Sequence, residues 1–122
     1  MALEIRLRKT SDTVVIDLIG RLDVLGQSLS SGIIESIKQG ERHFVLNLMD
    51  LEFVDAFGLG QLVEIRNAVA GVGGSLKIFR PGARIRELFA LTRLDTVFEI
   101  YKEAPPTGER RVLDSLSVNA AL

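Results

Sequence analysis

The chain has 122 residues, of which 47% are hydrophobic and 25% are charged, a balance typical of one globular domain. Its net charge of −1 gives no overall positive electrostatic field that would attract nucleic acid. The lack of cysteine and the single histidine argue against disulfides, thiolate chemistry and a zinc or iron site. No apolar run reaches the ~18 residues that span a bilayer, and the first residues lack the apolar core of a signal peptide. We therefore expect a cytoplasmic protein that does not insert into the membrane.

The first third of the sequence predicts a hairpin followed by a helix. Glu4 to Lys9 alternates polar and apolar residues, and after a turn at Ser11-Asp12 the segment Thr13 to Gly20 forms a second strand. Apolar residues then recur every four positions as an amphipathic helical stripe that ends near Gly40. The members of this stripe are Leu25, Leu29, Ile33 and Ile37.

The rest of the sequence predicts alternating strands and helices. His43 to Leu48 is nearly continuous in apolar residues, which is typical of a central strand, and a short acidic loop follows it. The later elements are a helix from Asp55 to the glycines near Gly71, a strand at Ser75 to Phe79, a helix from Pro81-Gly82 and a strand at Val97 to Tyr101. The order β-β-α-β-α-β-α-β predicts an α/β fold, a mixed sheet with helices packed on it.

The end of the sequence departs from this alternation. Ala104 to Gly108 contains two prolines and reads as a linker, which predicts a domain over residues 1–103 and a linker and tail over residues 104–122. The tail carries Val112, Leu113, Leu116 and Val118. Docking as a short helix, pairing with a neighbouring chain and lack of a fixed position all remain open.

The predicted start of the helix at Asp55 is the main candidate site. Such a start presents free backbone N–H groups and a partial positive charge, which suits an anion or a partner surface. Gly58 and Gly60 lie in its first turn. A Gly-x-Gly pair without the rest of a nucleotide fingerprint favours close packing against the sheet over a phosphate cradle.

Three segments of the sequence carry a family resemblance. They are Gly20-Arg21-Leu22-Asp23; Val45 to Leu48 followed by Phe53-Val54-Asp55 and Gly58-Leu59-Gly60; and Leu88 to Asp95 leading into Val97 to Tyr101. In this order and at these spacings, residues 3–101 resemble the STAS domain, the module of anti-sigma factor antagonists and of sulfate transporter tails. The resemblance implies a STAS-like mixed sheet.

The same resemblance implies a function for this chain. It also indicates that the family's usual control of partner binding, by phosphorylation, is missing here. In the antagonists that the chain resembles, a serine or threonine precedes the glycine equivalent to Gly58, and a cognate anti-sigma kinase phosphorylates it. A phosphate adds about two negative charges at that surface and prevents binding. This chain has Ala56 and Phe57 there, and neither accepts a phosphate. The resemblance thus implies a protein-binding module for an anti-sigma kinase or a related signalling partner, without phosphorylation at Phe57.

The predicted partner-binding residues surround this helix start. They are Asp23, Asp55, Ala56, Phe57, Gly58, Leu59, Gly60 and Leu62. Capping of the helix explains Asp55 by itself, and Asp23 is also explained as a turn or cap residue before the first helix. Phe57 is either an outward anchor for a partner or a packing residue beneath a loop.

Two other functions are compatible with the sequence to different degrees. One is a soluble STAS subunit of an ABC-type lipid transport complex, which would bind an ATPase subunit and need no phosphoserine. The other is an enzyme, which the sequence disfavours because Asp50, Glu52 and Asp55 cluster without a nucleophile, a P-loop or a metal-ligand set. We therefore expect no catalytic activity and no cofactor, and we leave a homodimer open.

Overall fold

The structure, a computed structural model, describes residues 3–24 and 29–102. Its strands are β1 (Leu3–Thr10), β2 (Thr13–Leu22), β3 (His43–Asn47), β4 (Leu51–Val54), β5 (Ser75–Phe79) and β6 (Glu99–Tyr101), and its helices are α1 (Leu29–Lys38), α2 (Ala56–Gly71) and α3 (Ala83–Leu91). The predicted linker and tail, residues 104–122, and the first residue of the predicted helical stripe, Leu25, lie outside the described residues.

The described strands form one mixed sheet in the order β1-β2-β3-β5-β6, with β4 paired to β2. Strands β1 and β2 are the predicted antiparallel hairpin, closed by a two-residue turn in which Ser11 has a φ of 52°. All other pairs, β2 with β3, β3 with β5, β5 with β6 and β2 with β4, are parallel. The mixed α/β class and the central position of β3 are confirmed.

The structure contains a strand, β4, between β3 and α2 that is absent from the predicted order of elements. The segment after Asp50 was expected to be a loop because its acidic residues obscured a very short strand pattern. In the structure Leu51 and Val54 are buried, while Glu52 and Phe53 are exposed. The strand pairs with the last residues of β2 after a register shift that follows Gly20. The last strand is also shorter than expected, since a 3₁₀ turn over Leu94–Thr96 precedes it and β6 begins only at Glu99.

The main core lies between one face of the sheet and the three described helices. Alternate strand residues point into it, because successive side chains of a strand face opposite sides. Its fully buried members include Ile16, Leu18, Leu46 and Ile78 from the strands and Ile33, Leu62, Ile65 and Phe89 from the helices. Burial of each such side chain contributes about 1.5–3 kcal/mol, so this layer holds the helices firmly against the sheet.

A second, smaller cluster lies on the opposite face of the sheet. It contains Val15, Val45 and Phe79, with Tyr101 packed against them. The rings of Phe79 and Tyr101 meet edge to face with centroids 5.6 Å apart. Among the residues that the structure describes, this cluster draws its members from strands only. We call this side of the sheet the second face.

Candidate functional site

The candidate site lies where two parallel strands end and α2 begins. Strand β2 ends at Leu22 and its neighbour β4 ends at Val54, so their carboxyl ends share one edge of the sheet. The backbone N–H of Asp55 donates to the carbonyl oxygen of Leu22 at 3.3 Å. This contact holds the start of α2 beside the end of β2, at the sheet edge where α/β folds commonly bind ligands and partners.

Asp55 is the N-cap of α2, as its sequence position predicts. Its backbone is extended, with φ −103° and ψ −172°, and its carboxylate oxygen Oδ1 accepts a hydrogen bond from the backbone N–H of Gly58 at 2.9 Å. The carboxylate therefore already occupies one of the free N–H groups and opposes the positive end of the helix dipole. The helix start is thus poorly suited to an anion, and the partner-surface interpretation is favoured.

Gly58 has a packing role that no other residue could fill. A Cβ atom at this position would lie 2.2 Å from the carbonyl oxygen of Leu22 and 2.9 Å from Cγ1 of Val54. The absence of a side chain is what allows α2 to approach β2 and β4 so closely. Gly60 differs, because a Cβ there would meet no described heavy atom within 4 Å, and no packing contact explains it.

Phe57 projects from this fixed helix start into solvent. Its side chain is 64% exposed, so it is not a packing residue beneath a loop. Ala56 and Gly60 are exposed as well, whereas Asp23, Asp55 and Leu59 are half-buried. The exposed ring offers a large apolar contact area at the same sheet edge as the exposed side chains of Phe53 and Val24.

Two of the predicted contact residues do not belong to this surface. Leu62 is 0% exposed and lies in the main core, and Gly58 is buried against Leu22. On an α-helix, five residues separate Phe57 from Leu62 by roughly 140° of rotation, which turns Leu62 toward the sheet when Phe57 faces outward. The prediction of Leu62 as a surface contact was wrong for this reason.

The structure adds three residues that the sequence did not indicate. The guanidinium carbon of Arg21 lies 3.9 Å from the centre of the Phe53 ring, and its Nε lies 3.5 Å from Oδ2 of Asp23. Phe53 and Val24 expose apolar surface at the same sheet edge. The paired strands bring Arg21 and Phe53 together, so only recognition of β4 would have revealed this contact. We call Arg21, Asp23, Val24, Phe53, Asp55, Ala56, Phe57, Leu59 and Gly60 the helix-start surface.

A shallow groove adjoins the helix-start surface between β4 and α3. It has a volume of about 300 Å³, and its lining includes Phe53, Val54, Ile85, Leu88 and Leu91. Glu52, Arg84 and Glu87 also line it, so charge of both signs accompanies the apolar surface. Phe53 belongs to both features and makes the groove continuous with the helix-start surface.

The described residues contain neither a cluster of metal ligands nor a membrane-spanning helix. Over residues 3–24 and 29–102, no three histidine or acidic side chains group in a way that would hold a metal ion. Within the same ranges, no helix has the length and apolar character needed to cross a bilayer.

The family model for the STAS domain matches residues 4–104. The chain belongs to the STAS family. Two relatives of this STAS domain are named as anti-sigma factor antagonists, one from Thermotoga neapolitana with 34% identity and one from Thermotoga maritima with 31% identity, each over 67 residues. The aligned region covers 55% of this chain and 59% of each relative, so the chain spans about three fifths of the curated relatives it matches.

Solved structures share the fold of this STAS domain at lower identity. An anti-sigma factor antagonist from Mycobacterium paratuberculosis has a TM-score of 0.73 and 21% identity over 95% of this chain and 92% of that one. The anti-sigma factor antagonist SpoIIAA in its unphosphorylated form has a TM-score of 0.68 and 22% identity over 93% of this chain and 98% of that one. The STAS domain described here therefore has the fold of anti-sigma factor antagonists.

Proposed function

We propose that this STAS domain is a protein-binding module of the anti-sigma factor antagonist type, and that the helix-start surface docks on an anti-sigma kinase or a related signalling protein. The observation that carries the proposal is Phe57, whose ring is 64% exposed at the start of a capped helix. The names of the Thermotoga relatives support the same class of function.

The local geometry suits Phe57 to the role of an anchor. The helix cap at Asp55 and the close packing of Gly58 against Leu22 fix the backbone on both sides of Phe57. A partner would therefore order few additional groups on binding, which reduces the entropic cost of association. An aromatic side chain with only two rotatable bonds supplies a large contact area at low entropic cost, and such residues dominate binding energy at many interfaces.

The charged residues around Phe57 suit the rim of such an interface. Asp23 and Asp55 are half-buried and already engaged by Arg21 and by the backbone of Gly58, respectively. A partner would thus meet an apolar centre beside carboxylates that keep their internal contacts, without desolvating an unpaired charge.

Phe57 also changes how binding would be controlled. It stands where the resemblance places the phosphoacceptor, and neither Phe57 nor Ala56 carries a hydroxyl group. The module would therefore remain competent for binding when a kinase is active, and control would rest on the amount of protein or on another site. The function is that of a non-enzymatic regulator in the cytoplasm.

Capture of partners from the source cells by three immobilised baits tests the proposal. The baits are the wild-type chain, Phe57→Asp and Leu7→Asp, where Leu7 is a matched control because it is 65% exposed on the edge strand β1. We expect the wild type and Leu7→Asp to retain an anti-sigma kinase in mass spectrometry and Phe57→Asp to lose it. Retention of a transport ATPase by all three baits would instead support the transport alternative and overturn the proposal.

A further inference from the structure

Strand β1 lies at one edge of the sheet and has an open side. Among the described residues it pairs with β2 only, over its whole length from Leu3 to Thr10. The side chain of Leu7 on this strand is 65% exposed. An edge strand of eight residues presents a row of backbone N–H and C=O groups with which another strand can pair. The other edge strand, β6, has only three residues and offers a much shorter row.

The hairpin determines which residues of β1 direct their backbone groups to the open side. A two-residue turn joins Thr10 to Thr13, and the residues that close such a turn form a hydrogen-bonded pair. Hydrogen-bonded and non-hydrogen-bonded pairs alternate along an antiparallel ladder. The even-numbered residues of β1 therefore bond to β2, and the odd-numbered residues from Leu3 to Lys9 present their N–H and C=O groups outward.

The side chains of β1 alternate between the two faces of the sheet. Leu3 belongs to the main core and Ile5 packs against it, so Leu7, two residues further, lies on the same face. Glu4 and Arg6 lie on the second face, where Nε of Arg6 is 2.6 Å from Oε2 of Glu4 and both side chains are more than half exposed. One face of this edge thus offers apolar groups, and the other offers neighbouring charges of opposite sign.

We propose that two copies of this chain dimerise by antiparallel pairing of their β1 strands, with Ile5 opposite Ile5 of the second copy. A two-fold axis perpendicular to the sheet relates the copies, so residues at equal distances from Ile5 lie opposite each other. Glu4 then faces Arg6 of the second copy, and Leu3 faces Leu7 of the second copy. The symmetry repeats both contacts. Each opposed odd-numbered residue directs its backbone groups at the other strand, as a continuous ladder requires.

Charge complementarity selects this register over its neighbours. A ladder centred on Glu4 or on Arg6 places identical charges directly opposite each other, and one centred on Leu7 places Arg6 opposite Arg8. Like charges in such positions destabilise a sheet, whereas opposite charges stabilise it. The register centred on Ile5 pairs opposite charges twice on the second face and apolar side chains twice on the core face.

The proposed dimer uses residues distinct from those assigned to partner docking. None of the residues from Leu3 to Leu7 belongs to the helix-start surface. The second occupant of this edge is another copy of the chain and not a signalling protein. The proposal therefore goes beyond the proposed function, and either can fail while the other holds.

Exchange of the two charges tests the dimer by sedimentation velocity. Glu4→Arg and Arg6→Glu each place like charges opposite one another, whereas the double variant Glu4→Arg/Arg6→Glu restores opposite charges in the same register. We expect the wild type and the double variant to dimerise, and each single variant to require a concentration at least about ten-fold higher. A wild-type chain that remains monomeric at about 1 mM, or single variants that dimerise as well as the wild type, would overturn the proposal.

A mixture of the two single variants gives a sharper result. At these two positions a chain with Glu4→Arg carries only positive charge and a chain with Arg6→Glu only negative charge. We expect an equimolar mixture to form a heterodimer at concentrations where each variant alone is monomeric, which also shows that both variants are folded. A mixture that sediments as monomer would contradict the proposal.

Disulfide trapping tests the register. The chain has no cysteine, so Ile5→Cys introduces one thiol per copy. The two thiol-bearing residues lie opposite each other with a Cα–Cα distance of about 5.5 Å, which a disulfide can bridge. In the same register the two residues of Leu7→Cys are offset by about 13 Å along the strands. We expect mild oxidation to link Ile5→Cys and not Leu7→Cys. Linkage of Leu7→Cys equal to or greater than that of Ile5→Cys would overturn the proposal.

Discussion

The carboxylate of Asp55 accepts a hydrogen bond from the backbone N–H of Gly58 at 2.9 Å, and this bond encloses Phe57 in a closed turn. The backbone of Phe57 is therefore held in place by its two neighbours, Asp55 and Gly58. Gly58 sits directly against the carbonyl of Leu22, which ties the turn to the sheet. The exposed ring is thus presented by a rigid backbone, as an anchor residue needs to be.

The close approach at Gly58 gives a first prediction. Gly58→Ala would place a methyl group 2.2 Å from the Leu22 carbonyl oxygen and force α2 away from the sheet. We expect the free energy of unfolding in urea to fall by about 1–3 kcal/mol. Gly60→Ala is the matched control: with open space around it, we expect it to raise the stability by up to about 1 kcal/mol. Equal stability of the two variants would contradict the packing role of Gly58.

The cap at Asp55 gives a second prediction. Asp55→Ala removes the acceptor for the Gly58 N–H, and we expect a loss of about 1 kcal/mol in chemical denaturation. Asp55→Asn retains an oxygen that accepts this bond and should lose much less, since asparagine caps helices about as well. If Asn is as destabilising as Ala, the negative charge and not the hydrogen bond is what matters at this position.

The contact between Arg21 and Phe53 gives a third prediction. The guanidinium lies 3.9 Å from the ring centre, so a double-mutant cycle with Arg21→Gln and Phe53→Leu should show coupling of about 0.5–1 kcal/mol. The stability of the wild type, both single variants and the double variant is measured in urea. Strictly additive losses would mean that the two side chains do not stabilise one another.

The polar group on the second face gives a fourth prediction. Asp17 accepts hydrogen bonds from both Arg8 and Asn47, so Asp17→Ala leaves two donors without their acceptor and should cost about 2–3 kcal/mol of unfolding free energy. Glu4→Ala removes the partner of Arg6 in an exposed ion pair on the same strand pair, and we expect a loss below about 0.5 kcal/mol. Comparable losses from the two variants would show that the second face is open to solvent.

The sequence patterns predicted much of this fold for identifiable physical reasons. The hairpin, the apolar strand β3 and the helix capped by Asp55 each follow from local periodicity or turn chemistry, which act within a few residues. Strand β4 was not predicted because its four residues, Leu51–Val54, are too few to show an alternation of apolar and polar side chains. Its pairing with β2 is also a contact between distant parts of the chain.

The candidate site was only partly predictable. A linear motif places Asp55, Ala56 and Phe57 together, but it does not show which side of the helix faces the sheet. The burial of Leu62 and the contribution of Arg21 and Phe53 depend on that rotation and on the strand pairing, and both are set by tertiary packing. The exposure of Phe57 is the decisive fact, and it required the three-dimensional structure.

The most direct measurement uses the anti-sigma kinase that the wild-type bait captures. The purified kinase is titrated in a calorimeter with the wild-type chain, with Phe57→Asp and with Leu7→Asp. We expect Phe57→Asp to raise Kd by roughly 30-fold or more, the effect of losing an interface hot spot, and Leu7→Asp to leave Kd unchanged. An unchanged Kd for Phe57→Asp would contradict the proposal that the helix-start surface is the docking site.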